Sequence, residues 1–135
     1  MLDEVVIRTD GGAEGNPGPA ASAFVVENGG RIVCVHSEYI GVATNNQAEY
    51  KALLMALRYV KKNFFKKKVK LFSDSQLMIK QLKGEYRVKS SNLVSMWSEA
   101  RELIGKMDIS LEWVKRDENY LADSLVKMVR KVKHG

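Results

Sequence analysis

The segment formed by residues 5–12, VVIRTDGG, constrains the fold more than any other part of the chain. Its first three residues are β-branched and predict a buried strand. Asp10 ends this run, although Asp is depleted from strands. Gly11 and Gly12 then allow the backbone to turn or another group to approach closely. Asp10 therefore either opens a loop over residues 11–19 or serves a function at the end of a strand.

Length and composition predict a single domain over residues 1–135. The chain has no apolar run of 18 residues, no N-terminal secretory pattern and a single cysteine, so we expect a cytoplasmic protein without a membrane span. No obligate protein partner is evident, and we expect a monomer. The net charge of +6 favours a polyanionic partner, although a solvated cationic surface would explain it equally well.

Hydrophobic periodicity predicts strands near residues 5–10, 20–26 and 31–40, joined by short connections as an antiparallel meander. The capping box Thr44-Asn45-Asn46-Gln47 predicts a helix to about residue 62. The pattern then predicts a strand over 66–72 and a short helix capped by Ser73 or Asp74. A helix over 90–105, a strand over 108–114 and a helix over 118–133 come next. This order predicts an α/β fold with a five-stranded mixed sheet flanked by about four helices.

Glu49 occupies an unexpected position in the predicted helix. It shares one helical face with Ala52, Leu53, Ala56 and Val60, the face that should pack on the sheet. An acid near a helix start complements the helix dipole, but the dipole does not explain an acid on the core-facing stripe. The pattern therefore favours a functional carboxylate.

Two further acids have simple structural explanations when each is considered alone. Asp74 follows an apolar strand and would serve as a helix N-cap, but this end of a strand is also where α/β sheets present ligand-binding groups. Asp123 flanks the apolar stripe of the last helix, where helical periodicity alone predicts a surface acid.

Together these four acids indicate a divalent-cation site, because clustered carboxylates repel one another unless cations offset the repulsion. Oxygen ligands suit Mg²⁺ or Mn²⁺, and the sequence has no Cys/His set for zinc. Two such ions about 4 Å apart activate a water and stabilise the leaving oxygen of a phosphoryl displacement.

In its motifs the sequence resembles the type 1 ribonucleases H. The matching stretches occur in the family's order over nearly the whole chain: Thr9-Asp10-Gly11, Asn16-Pro17-Gly18, TNNQAE at residues 44–49, Ser73-Asp74-Ser75 and Asn119-x-x-Ala122-Asp123-x-Leu125. Each stretch alone is weak, whereas the ordered set is specific. The resemblance implies the ribonuclease H-like fold.

The resemblance also implies an activity. Asp10, Glu49, Asp74 and Asp123 match the family's metal-binding catalytic carboxylates. The expected reaction is endonucleolytic, metal-dependent hydrolysis of the RNA strand of an RNA–DNA hybrid, leaving 5′-phosphate and 3′-hydroxyl ends, with two Mg²⁺ or Mn²⁺ ions bound alongside the substrate. Cleavage of double-stranded RNA is a broader alternative, and a non-catalytic nucleic-acid-binding module is a rival from another class.

Substrate contacts are implied at several positions. Amide side chains both donate to and accept from a 2′-hydroxyl, which suits the positions matching the family's RNA-strand contacts. Thr44 matches a position near a DNA-phosphate pocket, although it equally serves as a cap alone. The expected substrate-binding residues are Gly11, Gly12, Asn16, Thr44, Asn45, Asn46 and Arg116.

The sequence departs from the family's pattern in two places. The loop before the last helix, residues 115–118, has no histidine, whereas many members place one there. The segment over residues 83–90 is too short for the basic, tryptophan-containing protrusion of bacterial members, so the chain resembles the compact archaeal-like forms. Basic residues would partly replace the protrusion, namely Lys80, Lys83, Arg87, Lys89, Lys115 and Arg116. Trp97 and Trp113 are expected in the core.

Overall fold

The computed structural model describes residues 4–134, with side chains up to residue 132. Within these residues the strands are β1 (Val5–Ala13), β2 (Gly18–Asn28), β3 (Arg31–Ala43), β4 (Lys68–Ser73) and β5 (Asp108–Trp113). The helices are α1 (Asn45–Phe64), α2 (Gln76–Leu82), α3 (Ser91–Gly105) and α4 (Tyr120–His134), and a 3-10 turn (Arg116–Asn119) precedes α4.

The strands form one mixed sheet in the order β3-β2-β1-β4-β5. β1 pairs antiparallel with β2, and β2 pairs antiparallel with β3, which confirms the predicted N-terminal meander. β4 is parallel to β1 and to β5. β1 therefore lies at the centre of the sheet, with an antiparallel neighbour on one side and a parallel one on the other.

Helices cover both faces of the sheet. The larger core lies between one face and α1, α2 and α3, and it includes Ile7, Phe24 and Leu53. A smaller cluster on the other face joins Ala23 of β2 to Val126 of α4. Burial of Glu49 together with the apolar stripe of α1 confirms the face that periodicity predicted.

The strands are longer than the sequence pattern predicted. β1 does not turn after Asp10, because Gly11 and Gly12 continue the ladder opposite Ser22 and Ala21 of β2. β3 likewise runs past Gly41, which has φ of +80°, next to a register shift in β2. Glycines that predict a turn are thus accommodated inside a long two-stranded ladder.

Two smaller expectations were wrong. The cap of α2 is Ser75, whose hydroxyl accepts a hydrogen bond from Met78 N at 3.2 Å, rather than Ser73 or Asp74. Trp113 is 45% exposed instead of buried, because β5 lies at the edge of the sheet. Trp97 does pack against the larger core, as predicted.

Gly11 allows α1 to lie directly against the sheet. A Cβ atom at this position would lie 2.2 Å from the backbone carbonyl of Ala48. On the neighbouring strand, the buried hydroxyl of Ser22 donates a 2.7 Å hydrogen bond to that same carbonyl oxygen. The first turn of α1 is therefore fixed on β1 and β2, and this contact determines where Glu49 lies.

We predict that Gly11→Ala destabilises the fold by about 1–3 kcal/mol, because the added methyl group meets backbone that cannot rotate away. The measurement is urea unfolding. Gly105→Ala is the matched control, since nothing lies within 4 Å of a Cβ placed there. Equal unfolding midpoints for the two variants would contradict this account of the helix–strand contact.

Candidate active site

The register of the parallel strands brings Asp10 and Asp74 together. Thr9 of β1 pairs with Ser73 of β4, so the residues that follow them, Asp10 and Asp74, lie side by side. On the far side of β4, the indole N–H of Trp113 donates to the backbone carbonyl of Asp74 at 3.2 Å. Residues 64 positions apart in sequence thus become neighbours through strand pairing.

Glu49 completes a compact group of three carboxylates. Asp10, Glu49 and Asp74 each offer one oxygen, and these oxygens all lie within 4.8 Å of one another. Asp10 is 3% exposed and Glu49 is 7% exposed. The side chain of Asp74 is 3% exposed. Three acids that are far apart in the sequence are therefore buried against one another.

Asp123 lies on the same cleft but outside this compact group. The cleft has a volume of about 460 Å³, and its wall includes all four predicted carboxylates. Asp123 makes an ion pair with Lys127, one turn further along α4, at 3.0 Å. The start of α4 is anchored to β1 by Asn119, whose side-chain amide donates to the carbonyl of Thr9 at 2.8 Å.

Burial and neighbouring negative charges raise the pKa values of Asp10, Glu49 and Asp74. The pKa of Asp10 is raised from 3.8 to about 8, first by burial and then by the charges of Asp74 and Asp123. Burial, followed by the same kind of repulsion, holds the pKa of Glu49 well above its ordinary value. Burial also raises the pKa of Asp74, which the nearby guanidinium of Arg116 opposes.

Arg116 is the cation that lies against the group. Its Nε is 3.6 Å from Oδ2 of Asp74, while its own side chain is 69% exposed. It lies in the turn before α4, in the loop where the expected histidine is absent. A single exposed guanidinium does not compensate three buried carboxylates, as the raised pKa of Asp10 shows.

The donor set fits a hard divalent cation. Oε1 of Glu49 and both carboxylate oxygens of Asp74 are buried and have no hydrogen-bond partner within the described part of the chain. All donors in the group are carboxylate oxygens, the ligands that Mg²⁺ and similar ions prefer. A cation bound here would supply the charge and the coordination that the protein leaves missing.

Two of the three asparagines predicted to contact substrate, Asn16 and Asn45, lie beside the cleft. Asn16 Oδ1 accepts a 2.9 Å hydrogen bond from the backbone N–H of Asn45. Asn45 Oδ1 in turn accepts from the N–H of Ala13 at 2.8 Å. Neither hydrogen bond uses the side-chain N–H groups of Asn16 or Asn45. The loop before β2, the end of β1 and the start of α1 are therefore joined at one place.

The other residues predicted to contact substrate lie at different places in the structure. Thr44 caps α1 through a complete capping box. Asn46 is exposed at the end of a separate groove that Arg87 and Lys89 also line. Gly12 lines the acid cleft, as does Gly11, whose Cα also faces the backbone of α1. Their contacts with substrate remain predictions.

Two basic residues that line the cleft, Lys127 and Arg130, were not predicted from the sequence. They lie four and seven residues after Asp123, on the same face of α4. Their spacing from Asp123 places all three residues on one face of the helix. It does not show that this face lines a cleft.

The chain is similar to ribonucleases H over most of its length. The sequence profile described as reverse transcriptase-like matches residues 8–129. Ribonuclease HI of Halobacterium salinarum is 44% identical over 118 residues, covering 86% of this chain and 59% of that protein. Ribonuclease H of Polynucleobacter asymbioticus is 31% identical over 136 residues, covering 90% and 86%. The chain spans only 34% of the mycobacterial bifunctional protein Rv2228c, to which it is 36% identical.

Solved structures agree with this similarity. The N-terminal RNase H domain of Rv2228c from Mycobacterium tuberculosis has a TM-score of 0.90 at 34% identity and covers 96% of this chain and 94% of that one. LC11-RNase H1, solved in complex with an RNA/DNA hybrid, has a TM-score of 0.85 at 33% identity and covers 92% and 94%. The chain therefore belongs to the type 1 ribonuclease H family, which confirms both the resemblance and the fold. Among the described residues, no helix has the length and hydropathy of a membrane span.

We predict that the metal-free protein loses stability as the pH rises from about 4 to about 8. Folded Asp10 keeps its proton up to about pH 8, whereas an unfolded Asp releases it near 3.8, so the folded state binds more protons in this window. Asp10→Asn should flatten the dependence and reduce the stabilisation that divalent cations give. Urea unfolding in chelator and in Mg²⁺, across this pH range, measures both effects.

Asp108→Asn is the control for that series, because Asp108 is exposed at the start of β5. Parallel pH profiles for wild type and Asp10→Asn would contradict the electrostatic account of the cluster.

Proposed function

We propose that this chain is a metal-dependent endoribonuclease that hydrolyses the RNA strand of RNA–DNA hybrids, with residues 1–135 forming one catalytic domain that acts as a monomer. The observation that supports this most directly is the convergence of three buried carboxylates with unpartnered oxygens. A fold has no structural need for such a cluster, which costs free energy unless a cation binds. The hybrid bound to LC11-RNase H1 supports the substrate class.

In the proposed mechanism, Asp10, Glu49, Asp74 and Asp123 hold two Mg²⁺ or Mn²⁺ ions. Each of the four carboxylates would contribute oxygen ligands to the bound ions. Such ions would supply activation of the attacking water and stabilisation of the leaving oxygen, and the expected products carry 5′-phosphate and 3′-hydroxyl ends. The position of Asp123 on the same cleft, outside the compact group, suits a ligand at its margin.

The chain's own residues would place the hybrid over this cluster. Arg116, exposed beside Asp74, attracts the backbone phosphate toward the carboxylates without closing the cleft. The free amide N–H groups of Asn16 and Asn45 lie beside the cleft and would read the 2′-hydroxyl groups that mark the RNA strand. Exposed Asn46 would extend this contact toward the second groove.

The first test is a substrate panel. Matched RNA–DNA, RNA–RNA and DNA–DNA duplexes are incubated with Mg²⁺ or Mn²⁺, and the ends of the products are analysed. We expect cleavage of the RNA strand of the hybrid. Cleavage of the RNA–RNA duplex as well would extend the substrate range, and binding without cleavage of any duplex would favour the non-catalytic module.

Asp10→Asn is the matching variant, since it keeps the shape of the side chain and removes its charge. We predict that it lowers hybrid cleavage by at least about a hundredfold, because one cation ligand is lost. Asp108→Asn should cleave like the wild type. Wild-type activity in Asp10→Asn would overturn the proposed function.

We also predict that Asn46→Ala raises KM for the hybrid while leaving stability unchanged, because its side chain is exposed. Asn45→Ala should raise KM and also lower stability, since Asn45 Oδ1 holds the N–H of Ala13. The stabilisation by divalent cations should change little in either variant. Equal losses of substrate binding and of cation-dependent stabilisation would mean that both residues only support the start of α1.

A further inference from the structure

Arg130 of α4 lines the acid cleft next to Gly12 of β1. Asp123, Lys127 and Arg130 line the cleft from one face of the helix, while Val126 between them packs on Ala21 and Ala23 of β2. Arg116 lies against Asp74 at the end of β4. The cleft is thus lined by two guanidinium groups, one beside Asp74 and the other beside Gly12.

The guanidinium of Arg130 lies over Gly12. A Cβ atom placed on Gly12 would be 3.2 Å from Nη1 of Arg130 and 3.9 Å from Oδ1 of Asn45. Arg130 and Asn45 therefore adjoin the same glycine, which lies two residues after Asp10 in β1. Whatever binds at Asn45 beside the cleft would also come within reach of Arg130.

Arg130 differs from the other cations of the cleft in having no anionic partner among the described residues. Lys127 pairs with Asp123, and Arg116 approaches Asp74. Within the side chains that the structure describes, residues 4–132, Nε of Arg130 is buried without a hydrogen-bond acceptor. A buried donor without an acceptor is costly unless a ligand supplies one. The arrangement calls for an anion beside Gly12.

We propose that Arg130 binds a backbone phosphate of the RNA strand and positions that strand over the carboxylates. This inference rests on the proposed function for the identity of the strand, because Asn45 is the neighbour proposed to read 2′-hydroxyl groups. A guanidinium is suited to the role, since its planar donors recognise phosphate in a fixed orientation. An alternative without substrate contact is that the aliphatic stem of Arg130 only covers apolar surface.

Three variants test the proposal: Arg130→Ala, Arg130→Met and Arg130→Lys. For each, the affinity for the hybrid is measured in chelator, and cleavage kinetics are then measured in Mg²⁺. Arg130→Met keeps an apolar stem, and Arg130→Lys keeps the charge. The matched control is Lys131→Ala, which removes the same charge from an exposed position on the same helix. Thermal unfolding of each variant verifies that the fold is retained.

We expect Arg130→Ala and Arg130→Met to weaken binding and to raise KM about tenfold with little change in kcat. The slope of log affinity against log salt should fall by about 0.9, the value for one phosphate contact on a duplex. Arg130→Lys should be intermediate, and Lys131→Ala should resemble the wild type. Wild-type affinity in Arg130→Met would show that only the stem matters and would overturn the proposal.

A scan of hybrids with single neutral methylphosphonate linkages identifies the strand. We expect one RNA-strand position at which neutralisation weakens binding by the wild type but has no effect on Arg130→Met. Coupling to a DNA-strand position, or no coupling at any position, would overturn the inference even if hybrids are cleaved. The binding readout is independent of cleavage, so RNA-strand coupling without cleavage would support the phosphate contact while the proposed function fails. Absence of hybrid binding would overturn both.

Discussion

The parallel pairing of β1 with β4 is the constraint on which the rest of this structure depends. It places Thr9 opposite Ser73, and the residues that follow are both aspartates. This central strand pairing is held by a ladder of backbone hydrogen bonds and by the larger core packed on one face of both strands. Like-charge repulsion between Asp10 and Asp74 is therefore overcome by interactions that involve neither carboxylate.

The third carboxylate is supplied by a different kind of contact. α1 reaches the sheet because Gly11 has no side chain and because the Ser22 hydroxyl bonds the Ala48 carbonyl. Glu49, the next residue, then has no route away from Asp10 and Asp74. The helix and the strands hold the acids close together, and the electrostatic cost appears as raised pKa values.

The cationic side chains Arg116 and Lys127 lie at the margins of the cleft. Arg116 and Lys127 approach the acids from exposed positions on the turn before α4 and on α4 itself, while the center of the cluster contains only carboxylate oxygens. A cationic side chain at the center would occupy the place of a metal ion. At the margins, cations attract a polyanion and leave the center free for coordination. The cleft thereby combines a negative center with a positive rim, an arrangement suited to holding metal ions against a phosphodiester.

The sequence by itself determined the order of strands and helices and the core-facing stripe of α1, because periodicity is a local signal. Out-of-place charge marked only Asp10 and Glu49 as candidate functional acids, whereas Asp74 and Asp123 were added by the resemblance to the family. The sequence did not determine that β1 continues through Gly11 and Gly12, since glycines predict turns and only pairing with β2 keeps them extended. It misplaced Trp113, because a strand's position at the sheet edge depends on its neighbours. The distances among the carboxylates, and the position of Arg130 over Gly12, were decided only by the tertiary structure. They depend on register and helix approach, which are set by contacts between segments far apart in the chain.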